Sequence, residues 1–236
     1  MVTAVGQSAE ATAAGGLHGF PPALTGFVGR GGVMREVAGL LGECRLVTVT
    51  GPGGAGKTRL AGEVARQVAG RFADGVWLAE LAPVADPAQV AAVVAGAVGV
   101  RLQPGVPAAE ALARVLARQE LLLVLDNCGH VIGAAAGLCA GLLLACDDVR
   151  ILATSREPLA VAGEARYRLA PLAVPDPEDA ADVAGCEAVA LFAERARRAD
   201  ARFALDGQTG PVVARLDGMP LAIELAAARA EALGVA

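Results

Sequence analysis

The chain has 236 residues, 55% of them hydrophobic but only 3% aromatic, so its core must be built from Ala, Val and Leu. The formal net charge of −5 argues against a dedicated nucleic-acid binder, which carries a basic surface. Five cysteines, an odd number with no C-x-x-C pair, argue against a disulfide framework or a zinc site. Their simplest role is that of small buried hydrophobes in a reducing compartment. No signal peptide is visible at the start, which points to a cytoplasmic protein.

Residues 1–19 are rich in Ala, Gly, Ser and Thr and read as a disordered leader. Phe20-Pro21-Pro22 opens the ordered part. Val33–Leu41 carries Val33, Val37, Leu40 and Leu41 on one helical face. Leu46–Thr50 is a β-branched strand, and the stretch Thr58–Phe72 repeats apolar residues at helical spacing. Gly75–Leu81 reads as the next strand, and Pro87–Val98 and Ala108–Gln119 as helices. Leu121–Leu125 is an all-apolar strand ending at Asp126, which suits the middle of a parallel sheet. The apolar run Val131–Cys146 falls short of the ~20 residues a membrane-spanning helix needs and holds several glycines, so a buried or half-buried helix is expected within Ile132–Ala145. Val149–Thr154 is a further strand and Tyr167–Leu169 a short edge strand. The prolines of 171–177 mark a boundary. Beyond it the pattern is helical only, over Glu187–Ala199, Thr209–Leu216 and Leu221–Leu233. Alternating strands and helices to about residue 170, then helices alone, predict an α/β domain with a doubly wound, mostly parallel sheet over 20–170. A small helical subdomain over 171–236 should follow it.

The chemistry is concentrated in Gly51-Pro52-Gly53-Gly54-Ala55-Gly56-Lys57-Thr58. The spacing G-x-x-x-x-G-K-[ST] is met by Gly51, Gly56, Lys57 and Thr58, with a strand before and a helix after. Glycines let successive N–H groups turn inward with no side chain in the way. The helix start offers its positive end to an anion. Lys57 neutralises β/γ-phosphate oxygens and the Thr58 hydroxyl ligates Mg²⁺. Of the 20 basic residues, Lys57 is the single lysine; its place in this loop, where a guanidinium does not substitute, is itself a signal. ATP or ADP with Mg²⁺ is the expected ligand.

Asp126, at the end of its strand, is placed to hold Mg²⁺ beside the loop. Asn127 follows where many hydrolytic ATPases carry a carboxylate; an amide can position water but cannot take its proton, which predicts slow turnover or none. His130 could assist, although such a residue is more often a structural hydrogen-bond partner. Arg156, after the next strand, could reach the γ-phosphate or be a surface arginine. Lys57, Asp126 and Arg156 are therefore the expected catalytic set, and Thr58 and Asp126 the metal ligands.

These segments, with Leu24–Arg30 before them and Asp217–Arg229 after, resemble in kind and order the NB-ARC-like, STAND-class ATPase module of large bacterial transcriptional regulators. The resemblance covers roughly residues 20–230. It implies that Val28, Gly29 and Arg30 lie against the base and ribose, and that Pro220, in Gly218-Met219-Pro220, closes over the adenine. Arg59 would join the nucleotide contacts, and Arg156 would be the sensor arginine. Gly31 and Gly129 stand where the family commonly has acids, which puts local hydrogen bonding in doubt. The family continues into winged-helix, repeat and DNA-binding parts that these residues do not include, so the sequence reads as a fragment or a truncated regulator.

The expected function is an ATP/ADP switch acting through self-association or the other regulator domains, with no membrane and no direct nucleic-acid contact by this segment. The alternatives are an ATP-hydrolysing enzyme acting on a small molecule or in transport, or a nucleic-acid motor. The motor reading is disfavoured by acidic charge and few aromatics.

Overall fold

The computed structural model describes residues 16–22, 24–175, 185–205 and 209–229. Six strands form one sheet: β1 Leu17–His18, β2 Leu46–Thr50, β3 Val76–Glu80, β4 Leu122–Asp126, β5 Arg150–Ser155 and β6 Glu164–Arg168. Their spatial order is β1-β3-β4-β5-β2-β6, and every pairing is parallel.

The central strands β2 and β4 are buried along their whole length. Both faces are therefore apolar and both are covered. One face packs under α1 Gly31–Glu43 and α2 Lys57–Val68, through Val37, Leu41, Leu60, Val64 and Val68 against Val47, Val49 and Val124. The other is covered by α3 Val90–Ala97, α4 Ala108–Leu116 and α5 Ile132–Ala145, through Val94, Leu112, Leu116, Leu138 and Leu142 against Leu123, Leu125 and Ile151.

A third core belongs to the helical unit: α6 Glu187–Ala199, α7 Thr209–Ala214 and α8 Pro220–Ala227 enclose Phe192, Phe203, Val213 and Ile223. The two phenylalanine rings meet edge to face at 5.9 Å, an arrangement that aromatic quadrupoles favour.

Several expectations shift. Leu17 and His18, assigned to a disordered leader, form an edge strand; the His18 ring stacks on Trp77 at 3.8 Å. The rest of that leader, residues 1–15, lies outside the described residues. The edge strand expected at Tyr167–Leu169 begins earlier, at Glu164. The long helix after Lys57 ends at Val68 and tightens into a 3₁₀ turn over Ala69–Arg71. Prolines 87 and 107 sit at helix starts, where a missing N–H costs nothing. The final helix begins at Pro220 and ends at Ala227, and residues 230–233 of its expected span lie outside the described residues.

The apolar stretch Cys128–Ala145 is helical throughout and reaches the length of a membrane span at 18 residues, but it lies against the sheet through Ala135, Leu138, Cys139 and Leu142. Leu144 on its other side is 88% exposed. All five cysteines are free thiols. Burial pushes the Cys128 thiol up to about 12, with the Asp126 carboxylate adding to it.

Candidate nucleotide site

The site sits at the carboxyl ends of β2, β4 and β5. β2 ends at Thr50 and the chain turns through Gly51–Gly56 before α2 begins at Lys57. Gly54 and Gly56 have φ of 77° and 85°, the left-handed region where a side chain is strained. A side chain at Gly54 would also press on Leu221 of α8, whose Cβ is 3.0 Å from the position of an added Cβ. Lys57 Nζ donates to the carbonyls of Gly51 at 3.0 Å and Pro52 at 2.9 Å. Burial lowers its pKa; Asp126 opposes that shift and Arg156 adds to it.

Thr58 Oγ1 donates to Asp126 Oδ1 at 2.7 Å and lies 3.0 Å from Oδ2. The two expected metal ligands, 68 residues apart, are thus brought into direct contact. A hydroxyl and a carboxylate are hard oxygen donors of the kind Mg²⁺ takes, so the residues present fit that ion. Asp126 is 8% exposed and accepts a second hydroxyl, Thr154 Oγ1, at 2.6 Å. Thr154 in turn accepts the Asn127 N–H at 2.9 Å. Sequence reading treated Thr154 only as a strand residue. The sole hint was a hydroxyl near the end of a strand adjacent to the one carrying Asp126.

Asn127 itself is held in the left-handed region, at φ 62° and ψ 51°. His130 Nε2 pairs with the Val84 carbonyl at 2.9 Å, which makes it a structural partner. Arg156 follows β5 on the same sheet edge with its side chain exposed.

Arg30 is different from a simple base contact. It caps α1 in the left-handed conformation and is 5% exposed. Its guanidinium donates to Ala55 O at 2.7 Å and Ala170 O at 2.9 Å, and its backbone N–H to Glu187 Oε1 at 2.6 Å. It therefore ties the phosphate loop, the segment after β6 and the start of α6 together. Burial lowers its pKa, with Glu187 opposing.

The helical unit reaches the loop through α8. Leu221 N–H donates to Gly54 O at 3.2 Å, and Leu172 N–H donates to Gly218 O at 2.8 Å. Pro220, Val28, Arg30, Gly56 and Arg59 line one shared cavity of about 30 Å³, walled on its far side by Leu191, Arg195 and Glu224. Gly29 lies beside it, against Glu187. A larger cavity of about 270 Å³ flanks Thr58 and Asp126 along α2, lined also by Phe20, Pro22 and Leu24.

The comparisons bear on this geometry. No family model matches the chain. An uncharacterized protein of Mycobacterium tuberculosis is 42% identical over 214 residues, covering 89% of this chain and 52% of that protein. A second relative from the same organism, whose name places it among HTH-type transcriptional regulators, is 43% identical over 198 residues, covering 82% of this chain but 21% of its own length. The chain thus spans about half the length, or less, of these curated relatives. Among solved structures, the STAND ATPase with a tetratricopeptide repeat sensor from Pyrococcus horikoshii aligns over 86% of this chain and 30% of its own, at TM-score 0.53 and 16% identity. A Walker-type ATPase of Pyrococcus abyssi aligns over 88% and 69%, at TM-score 0.59 and 14% identity. The fold is that of the P-loop NTPases, carried on a chain homologous over most of its length to a segment of a protein named as a transcriptional regulator.

Proposed function

We propose that this chain is an ATP/ADP-binding switch module of a transcriptional regulator, of the NB-ARC-like STAND kind, with slow or no hydrolysis. The observation that carries the reading is the seating of α8 on the phosphate loop, Leu221 N–H to Gly54 O, above the Thr58–Asp126 pair. A nucleotide there contacts both units at once, so its γ-phosphate can bias how they sit.

In this reading the inward N–H groups of Gly51–Gly56, with Pro52 and Ala55 between them, receive the phosphates. Lys57 leaves the Gly51 and Pro52 carbonyls for the β/γ oxygens. Thr58 and Asp126 would hold Mg²⁺, which would draw charge off the phosphates. Arg156 reads the γ-phosphate. Val28, Gly29 and Pro220 surround the base and ribose, Arg59 joins the nucleotide contacts, and Arg30 braces the loop from behind. Slow turnover is supported by Asn127: its amide has no proton affinity to serve as a base, and its backbone is fixed by Thr154. The module works in the cytoplasm through self-association or further domains of the regulator, without itself touching nucleic acid or membrane.

The test is the nucleotide that copurifies with the protein, released by denaturation and identified by chromatography, with Lys57→Ala beside it. Bound ADP in the wild type and none in the variant is expected. A wild-type protein that carries no nucleotide and binds neither added ADP nor ATP would overturn the reading.

A further inference from the structure

A second set of polar contacts joins the helical unit to the sheet domain beside α8. Arg59, the second residue after Lys57, donates through Nη2 to the carbonyls of Thr25 and Gly26, both at 2.6 Å. Its Nη1 lies 3.7 Å from Glu224 Oε1. The same oxygen accepts from Arg195 Nε at 2.9 Å. Arg195 also pairs with Glu194 and reaches Gly26 O at 3.4 Å. Arg198 pairs with Glu194 at 2.7 Å and donates to Leu24 O at 2.9 Å.

Three guanidinium groups from α2 and α6 thus meet two carboxylates. Glu224 is the one supplied by α8, and it is also the one shared between the two domains. Like charges held this close repel strongly unless a carboxylate lies between them. The Arg195 side chain is 10% exposed and those of Arg59 and Glu224 about a third, so solvent screens the junction only in part. Burial and the neighbouring Arg195 charge both lower the Arg59 pKa, and Glu224 is the first group opposing them.

The junction forms one wall of the 30 Å³ cavity between Val28, Gly56 and Pro220. That volume admits roughly one or two water molecules, far below the hundreds of Å³ typical of a ligand pocket. A purine ring enters only as these walls part, and a movement of α8, which carries Pro220 and Glu224, parts them. Since Leu221 is bonded to the loop itself, the same movement uncovers Gly54.

We propose that Glu224 is the catch of a charge-held latch: it clasps Arg59 and Arg195 on one carboxylate, keeps α8 seated over the phosphate loop, and lets go when Arg59 gains an anionic partner from the γ-phosphate of a nucleoside triphosphate. The latch regulates the site described above and rests on the nucleotide reading for its trigger, though its existence does not depend on it. Closure in the absence of nucleotide is then an electrostatic property of this chain, weakened by salt. Nucleotide binding and α8 release are coupled through one arginine that cannot serve both partners equally.

The experiment uses the 236-residue chain without added nucleotide. Amide hydrogen exchange is followed over 24–30 and 220–227 in the wild type, Glu224→Gln and Glu224→Asp, at low and at high sodium chloride. Exchange in both segments should rise about three- to tenfold in Glu224→Gln, the range a partly buried ion pair controls. The aspartate variant should retain part of the protection. Salt should accelerate exchange in the wild type and have little further effect in Glu224→Gln. Unchanged protection over β2 and β4 reports that the variant is folded. Equal exchange in wild type and Glu224→Gln, or indifference to salt, would overturn the latch. In a parallel arm, a fluorescent ADP analogue should associate several-fold faster with Glu224→Gln. An analogue that binds neither protein would sink the nucleotide reading alone, because the exchange arm is decided without it.

Discussion

Thr154→Val is the most direct probe of how the site is held. The substitution keeps the β-branched shape in a strand where Thr154 is 1% exposed, so packing changes little. It deletes the 2.6 Å bond to Asp126 Oδ1 and removes the acceptor of the Asn127 N–H at 2.9 Å. A hydrogen bond to a charged group contributes about 1.5–3 kcal/mol. The Asn127 amide is only partly buried and can recruit water, which limits its loss to about 1 kcal/mol. The total is about 2–4 kcal/mol, which for a chain of this size corresponds to a fall in Tm of roughly 4–16 °C. Thr154→Ser is the control: it keeps the hydroxyl and gives up one methyl, costing about 1 kcal/mol. Thermal melts monitored by Trp77 fluorescence give the ordering wild type, then Ser, then Val, with Val well below the others. If Val melts as high as Ser or the wild type, the hydroxyl contributes nothing to holding Asp126, and the reasoning fails. Mg²⁺-dependent tightening of ADP should be weaker in Thr154→Val, because its Asp126 has lost one of the two hydroxyls that orient it.

Two further outcomes follow from the geometry. Gly218 sits at φ 64°, and an added Cβ would stand 2.0 Å from the Leu172 carbonyl oxygen; Gly218→Ala should unseat α8 from the sheet domain, read as faster amide exchange over 220–227 with β2 and β4 still protected, and exchange matching the wild type would contradict it. Tyr167 is the single tyrosine, and burial together with its bond to Glu36 Oε2 at 2.8 Å pushes its pKa up to about 12. The folded state therefore favours the protonated phenol. This stabilisation is full below the ordinary value of 10 and fades as pH climbs toward 12. Phenolate absorbance during alkaline titration should show the late midpoint, and Glu36→Gln should move it back toward 10. A wild-type midpoint at the ordinary value would show that the Tyr167–Glu36 contact does not persist.

The sequence by itself determined the alternation of elements and the phosphate loop. β-branched and apolar runs such as Leu46–Thr50 carry their own strand signal, and Gly51–Thr58 specifies its backbone through glycine and its chemistry through the single lysine. These are local properties, set within about ten residues. The apposition of Asp126 to the loop was also legible, because parallel strands gather their carboxyl ends at one edge. Edge strands were less so. Leu17–His18 is only two residues long and exists because the open edge of β3 supplies partners; nothing in residues 1–19 announces it.

What only the tertiary structure decided are the pairings between residues far apart in the chain. Thr154 supports Asp126 because β5 lies beside β4. Arg30, expected against the base, is turned inward by the carbonyls of Ala55 and Ala170. Glu224 meets Arg59 across 164 intervening positions because α8 docks on the phosphate loop. A charged side chain on a helix reads the same from sequence whether it faces solvent or a partner. Its role is fixed by what the packing of the apolar faces brings within reach, and that packing is a property of the whole chain.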